Sequence, residues 1–255
     1  MAKLEDTSAF DPDALGGAVV GVACELRGHD SGVHMHRRGQ LLWARQGCIR
    51  ITLESRLCLL PPSRAAWIPP GTPHRARMTN VVDYRSLWFD EALSTRLPMD
   101  VRVIDVGPLL GAVIEPLALA AFDEDWSRDR NQHLVGLSVH EIREAPTQPM
   151  LLPMPQDRRL AVLRDNPDRL PPELQELAQH VGATEKTIGR IFLRQTGMSY
   201  QPWRQQWRVI RATELLALRH PVSFVAGELG FASDSAFIAF FRQMLGCTPG
   251  AFFRR

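Results

Sequence analysis

Four cysteines in 255 residues, none at C-x-x-C spacing, exclude a disulfide scaffold. Cys24, Cys48, Cys58 and Cys247 are therefore read as reduced, mostly buried thiols. No run of 18 apolar residues occurs, so no segment is expected to span a membrane. The opening MAKLEDTSAF lacks a basic stretch followed by an apolar run, which argues against a secretory signal and for the cytoplasm. No P-loop, G-x-S-x-G or H-E-x-x-H pattern is present, so the commonest nucleotide-binding and hydrolytic sites have no support. What remains is an ordinary globular composition, 45% apolar and 23% charged, long enough for two cores.

The formal charge of +2 hides an asymmetry. Residues 158–255 hold 14 Lys/Arg against 8 Asp/Glu, whereas residues 1–157 hold 16 against 20. The C-terminal part is thus basic by +6 and the rest acidic by −4, as a phosphate-binding module attached to a second domain would be.

Residues 18–90 read as short strands. Leu41–Gly47, Cys48–Leu53 and Ala65–Ile68 are rich in apolar and β-branched residues, and Pro61-Pro62 and Pro69-Pro70-Gly71 punctuate them. Such spacing predicts a sandwich or barrel. From Val106 to Ala121 the pattern turns helical, with Pro116 expected to kink or break it. A second helix is expected over Asp129–Glu144, with Leu134, Val135, Leu137 and Ile142 on its apolar side. Four prolines between Ala145 and Pro155 exclude a regular helix and mark the domain boundary.

Beyond it the pattern is helical throughout, and two helix-turn-helix arrangements stand out. Leu174–Gly182 is followed by Thr184–Phe192, and Phe224–Phe231 by Ser233–Phe241. In each, apolar residues recur at helical spacing, a glycine closes the first helix, and Thr or Ser can cap the second. The long helix predicted over Pro202–Leu218, with Trp203, Trp207, Ile210, Leu215 and Leu218 for packing, would set the separation of the two units. A helix presented in this way fits the major groove of DNA.

Thr187-Ile-Gly-Arg-Ile-Phe192, Gln195-Thr-Gly-Met-Ser199, Glu228-Leu-Gly-Phe231, Ala236–Arg242 and Gly246-Cys-Thr-Pro-Gly250 together resemble the DNA-binding domain of the AraC/XylS family of transcription regulators. The N-terminal half resembles the cupin-type sensor domain of many members. The resemblance implies an α+β protein of two domains: a cupin-like β-barrel with following helices over 1–150, a linker over 151–157, and an all-α DNA-binding domain with two helix-turn-helix units over 158–255. It implies that Thr184, Lys186, Thr187, Gly189 and Arg190 on the first recognition helix meet DNA. On the second it implies Asp234, Ser235, Ile238, Ala239 and Arg242. Lys186 and Arg190 stand four apart and project alike. Arg190 is the expected reader of a guanine edge and Lys186 an expected phosphate contact. The less polar second helix is expected to specify few bases.

His34-x-His36, Gln40 and His74 also resemble the metal-binding motifs of cupins. Residues i and i+2 share a strand face, so His34 and His36 can chelate one divalent transition cation. Gln40 stands where metal-binding cupins carry Glu, and Met78 also departs from the pattern. The alternative is that these histidines line an organic effector's pocket, walled by Trp43, Trp67 and Trp88, or hold the barrel together. Of Arg37 and Arg38, one could face such a pocket and meet an anion; a solvated pair is the other reading.

These features imply a DNA-binding transcription regulator, not an enzyme, controlled by a small molecule or metal. Its partners are double-stranded DNA, an effector, a second copy of the chain and, as a further candidate, RNA polymerase. The competing reading is a metal-dependent cupin enzyme with an accessory helical domain. Against it, Gln40 replaces the carboxylate and no acid/base pair accompanies the histidines.

Overall fold

The computed structural model describes residues 10–78, 81–147, 151–166 and 168–252. Among the described residues, nine strands build the N-terminal part: β1 Val19–Leu26, β2 His29–Asp30, β3 Gly39–Gln46, β4 Ile49–Leu53, β5 Arg56–Leu60, β6 Arg64–Ile68, β7 His74–Met78, β8 Val82–Phe89 and β9 Arg102–Asp105. A one-turn helix α1, Glu91–Ser94, links β8 to β9 and is capped by the Asp90 carboxylate. One antiparallel sheet runs β1-β8-β3-β6-β9, and a second contains β5-β4-β7-β2.

Strand alternation gives the first sheet two buried faces. Val19, Ala23, Leu41, Trp43, Ala65, Trp67, Leu87 and Phe89 form one core with two helices, α2 Pro108–Ala118 and α3 Asp129–Glu144. The chain approaches α2 so closely at Gly21 that a Cβ there would lie 1.9 Å from the Leu117 carbonyl oxygen. Val20, Leu42, Ala66, Ser86 and Trp88 alternate onto the other face and are also buried. Pro116 does not break α2, which continues two residues past it. The buried Leu117 and Ala118 hold that last turn against the sheet. On α3 the inward face is set by Val135, Val139 and Ile142; Leu134 and Leu137 are only partly covered.

Residues 151–157, expected as a linker, are instead built into structure. Leu151–Pro153 forms strand β10 and pairs antiparallel with Arg56–Cys58, while Met154 N–H donates to the Ser55 carbonyl. Leu152 is fully buried, the Pro153 carbonyl accepts from Trp203 Nε1 at 2.7 Å, and Gln195 Oε1 accepts from the N–H groups of Gln156 and Asp157. Proline excludes a helix here but is tolerated in a short edge strand, where some N–H groups need no partner. The chain accordingly divides into two compact units, Met1–Glu54 with Leu59–Met150, and Ser55–Cys58 with Leu151–Arg255.

The second unit is otherwise helical: α4 Ala161–Asp165, α5 Leu174–His180, α6 Glu185–Thr196, α7 Tyr200–Ala217, α8 Val222–Glu228, α9 Asp234–Leu245 and α10 Pro249–Phe252. Trp203, Trp207, Ile210 and Leu215 of α7 are buried as the pattern predicts, while Leu218 just past its end is half-buried. Phe192 packs on Tyr200 and Trp203 to make one small aromatic core, and Phe231, Phe237, Phe241 and Phe252 make the other. Because α7 packs on both α6 and α8, it ties the two helix-turn-helix units into one body.

Candidate nucleic-acid interface and histidine cluster

The two helix-turn-helix units are built by the same local chemistry. After α5, Gly182 takes the left-handed conformation (φ 64°) and the Ala183 N–H reaches back to the Ala178 carbonyl. After α8, Gly230 (φ 69°) and the Phe231 N–H to Ala226 repeat this closure. Thr184 Oγ1 then caps α6 by accepting from Thr187 N–H, and Ser233 Oγ caps α9 by accepting from Ala236 N–H. Gly197 and Gly246, both left-handed, end these recognition helices.

Each recognition helix buries one stripe and leaves another open. On α6, Ile188, Ile191 and Phe192 point inward, and Lys186 and Arg190 are exposed. Thr187 and Gly189 are half-buried beside them, and Gly189 faces open space. On α9, Phe237 and Phe241 point inward; Asp234, Ser235, Ala239 and Arg242 are exposed and Ile238 is half-buried. The outward face of α9 lines an open groove of about 660 Å³, formed by Ser235, Ile238, Ala239, Arg242, Gln243 and Thr248. Gln243 and Thr248 were not expected there. Gln243 was legible, since it stands eight positions after Ser235 and so on the same stripe. Thr248 was not, because Gly246 turns the chain back toward the groove.

In the first unit His34, His36 and His74 converge. His34 and His74 exchange both backbone hydrogen bonds at 2.9 Å, and one ring nitrogen of each histidine lies within 4.8 Å of the others. The rings of His34 and His74 are 4.4 Å apart by centroid, whereas His36 stands 5.3 Å from His34 and 4.9 Å from His74. All three Nδ1 atoms contact backbone carbonyls: Gly32 at 3.1 Å, Arg38 at 3.3 Å and Thr72 at 2.8 Å. A carbonyl only accepts, so each Nδ1 carries a proton, and in the neutral ring the lone pair stands on Nε2. His36 Nε2 accepts from Trp88 Nε1 at 3.3 Å, and the buried His74 Nε2 has no hydrogen-bond partner. Burial holds His74 down to about 4 and lowers His36 too, so both rings are neutral near pH 7.

Gln40 lies on β3 across from Trp88, its Nε2 donating to Ser86 Oγ at 2.8 Å and its Oε1 buried without a partner. Trp88 joins this cluster, but Trp43 and Trp67 do not. Odd-numbered positions on β3 and β6 face α2 and α3, so these two indoles belong to the helix-packed core and donate to the carbonyls of Pro62 and Pro98. Arg37 and Arg38 are both engaged by the segment before β1. Arg37 pairs with Asp13, and Arg38 donates to the carbonyls of Leu15 and Gly17.

A helix-turn-helix domain family matches residues 177–255, the span from α5 to the C-terminal end. The chain is similar to the HTH-type transcriptional regulator NimR of Escherichia coli K12, 30% identical over 254 residues covering 97% of this chain and 92% of that protein. It is also similar to the regulator RipA of Corynebacterium glutamicum, 40% identical over 110 residues, or 42% of this chain and 32% of that one. Among solved structures, the DNA-binding domain of AdpA in complex with a target DNA is 29% identical, covers 38% of this chain and 88% of that domain, and superposes with a TM-score of 0.34. With two capped helix-turn-helix units closing the chain and a relative similar along nearly its full length, the protein belongs to the AraC family of helix-turn-helix transcription regulators.

Proposed function

We propose that the protein binds specific sequences in double-stranded DNA through α6 and α9, under the control of an effector held at the histidine cluster of its first unit. The tandem recognition helices support this best: each is capped, closed by a left-handed glycine and anchored by buried aromatics beneath an exposed polar stripe. Arg190, exposed on α6, is the proposed base reader. Lys186 beside it and Arg242 on α9 are the proposed phosphate contacts. Ser235, Ile238 and Ala239 would meet a base edge or a thymine methyl. A homodimer, joined through α2 and α3, would raise affinity for repeated half-sites by effective concentration. The half-exposed Leu109 and Leu119 of that helical layer support the contact. The protein would work in the cytoplasm, with RNA polymerase a further partner at the promoter.

Selecting bound sequences from a random DNA pool with the full-length protein tests the reading. The Arg190→Ala variant is expected to bind a selected site roughly 5- to 150-fold more weakly, with little change for unrelated DNA. An unaltered base preference would remove Arg190 as a reader, and failure to enrich any sequence would overturn the function.

The histidines fit a divalent transition cation. His34, His36 and His74 would hold it through their Nε2 atoms, of which that of His36 now accepts from Trp88 and that of His74 is buried without a partner. Such a cation would join side chains from distant parts of the chain, so its binding energy favours whichever arrangement brings them together. Purified protein is expected to carry near-stoichiometric transition metal that His34→Ala loses, as elemental analysis would show. A metal-free protein in both forms would turn the cluster into the polar wall of an organic effector's pocket.

A further inference from the structure

The buried donor that meets His36 has more than one buried acceptor within the cluster. The donor is the indole N–H of Trp88, now on His36 Nε2. The second acceptor is Gln40 Oε1, unpartnered and on the residue directly across the β3–β8 pairing from Trp88. Residues so paired have Cβ atoms about 4.5–5.5 Å apart, within reach of an indole. The His36 Nδ1 proton is engaged by the Arg38 carbonyl, so Nε2 is the ring's one position for a cation. An N–H donor and a cation cannot share that lone pair.

We propose that Trp88 is the latch of the histidine site. When a divalent cation takes His36 Nε2 together with His34 and His74, the indole N–H moves its hydrogen bond from His36 to Gln40 Oε1. The proposal rests on the three histidines being a cation site. Ligand nitrogens about 2.0–2.1 Å from a tetrahedral ion stand about 3.3 Å apart, against as much as 4.8 Å here, so binding draws the rings together, and the His36 lone pair given to the ion is lost to Trp88. The latch also gives Gln40 a role. A neutral amide whose nitrogen is fixed by Ser86 presents its oxygen to the indole, whereas a carboxylate there would compete for the cation. Gln40 thus serves the indole, not the ion. Because Phe10 packs on Trp88 at 5.3 Å and on Phe122 at 5.6 Å, displacement of the indole is felt along an aromatic row that ends just past α2.

The test uses the full-length protein with 15N-labelled tryptophan, whose six indole N–H signals are resolved by NMR. Cobalt(II) is titrated in, with binding read separately from its visible absorption bands, and zinc(II) provides the diamagnetic comparison. The indole most strongly shifted by cobalt is Trp88. That signal is expected to move with zinc yet stay protected from solvent exchange, and in Gln40→Met to lose the protection only in the zinc form. Trp88→Phe, lacking the competing donor, is expected to bind cobalt about fivefold more tightly. Metal binding with an unmoved Trp88 signal would overturn the latch and leave the cation site standing. Unchanged or weaker binding by folded Trp88→Phe would also overturn it. Absence of binding to wild type and Trp88→Phe alike would overturn the cation site, and the latch with it. If Trp88→Phe does not fold, the wild-type spectra decide alone.

Discussion

Raising salt from about 50 to about 200 mM is expected to weaken DNA binding roughly a hundredfold. The magnitude follows from charge that remains free to meet phosphate. Part of the basic excess of the C-terminal unit is engaged internally: Arg159 with Asp157, Arg204 with Glu173, and Arg211 with Asp168 and Glu214. Lys186, Arg190 and Arg194 of α6 and Arg242 of α9 are exposed on the recognition helices. Each phosphate neutralised releases condensed counterions and contributes about 0.9 to the slope of log affinity against log salt, so these four cations give about two decades over a fourfold change. Fluorescence anisotropy of a labelled duplex across that range measures the slope. A value near zero would sink the phosphate-contact account, and about half the expected value would mean that one helix-turn-helix unit does nearly all the electrostatic work.

Phe237→Ala is expected to cost roughly 3–5 kcal/mol of folding stability, a large share of the total for a unit of this size. Phe237 is fully buried and packs against Phe231 at 5.6 Å and Phe241 at 5.8 Å, so alanine leaves a cavity that rigid helices cannot collapse to fill. Its neighbour Ile238 points the other way, into the open groove. Ile238→Ala should therefore stay within about 1 kcal/mol of wild type while still perturbing DNA binding. Denaturant titration of the two variants is the check. Equal losses would mean that the inward face of α9 has been assigned to the wrong stripe.

The asymmetry between these adjacent residues was legible from helical periodicity, and so was most of the C-terminal unit. Glycine at the helix ends and Thr184 and Ser233 at the starts bond within a few residues of themselves, and the structure shows those bonds. Periodicity was less decisive elsewhere. Pro116 reads as a break because the lost N–H is visible in the sequence, while the sheet that holds Leu117 and Ala118 is not. The prolines of 145–155 likewise read as a linker, because the partner of Leu152 lies about a hundred positions earlier, at Leu57. Trp43, Trp67 and Trp88 are equivalent as sequence, three large apolar residues on strands. Only their register separates them: two face α2 and α3, and the third faces the histidines.

By itself the sequence determined the two-part architecture, the tandem helix-turn-helix units, the family resemblance and the residue types able to ligate a cation. Those features depend on composition and on interactions spanning one or two turns of chain. The tertiary structure alone decided which nitrogen of each histidine is free, that Trp88 occupies one of them, and that Gln40 keeps an orphaned oxygen beside it. The Trp88–His36 bond joins residues 52 positions apart, and the Gln40–Ser86 bond joins residues 46 apart. Contacts at that separation are set by strand pairing and by which face each side chain takes, and a shift of one residue in register would invert every one of them.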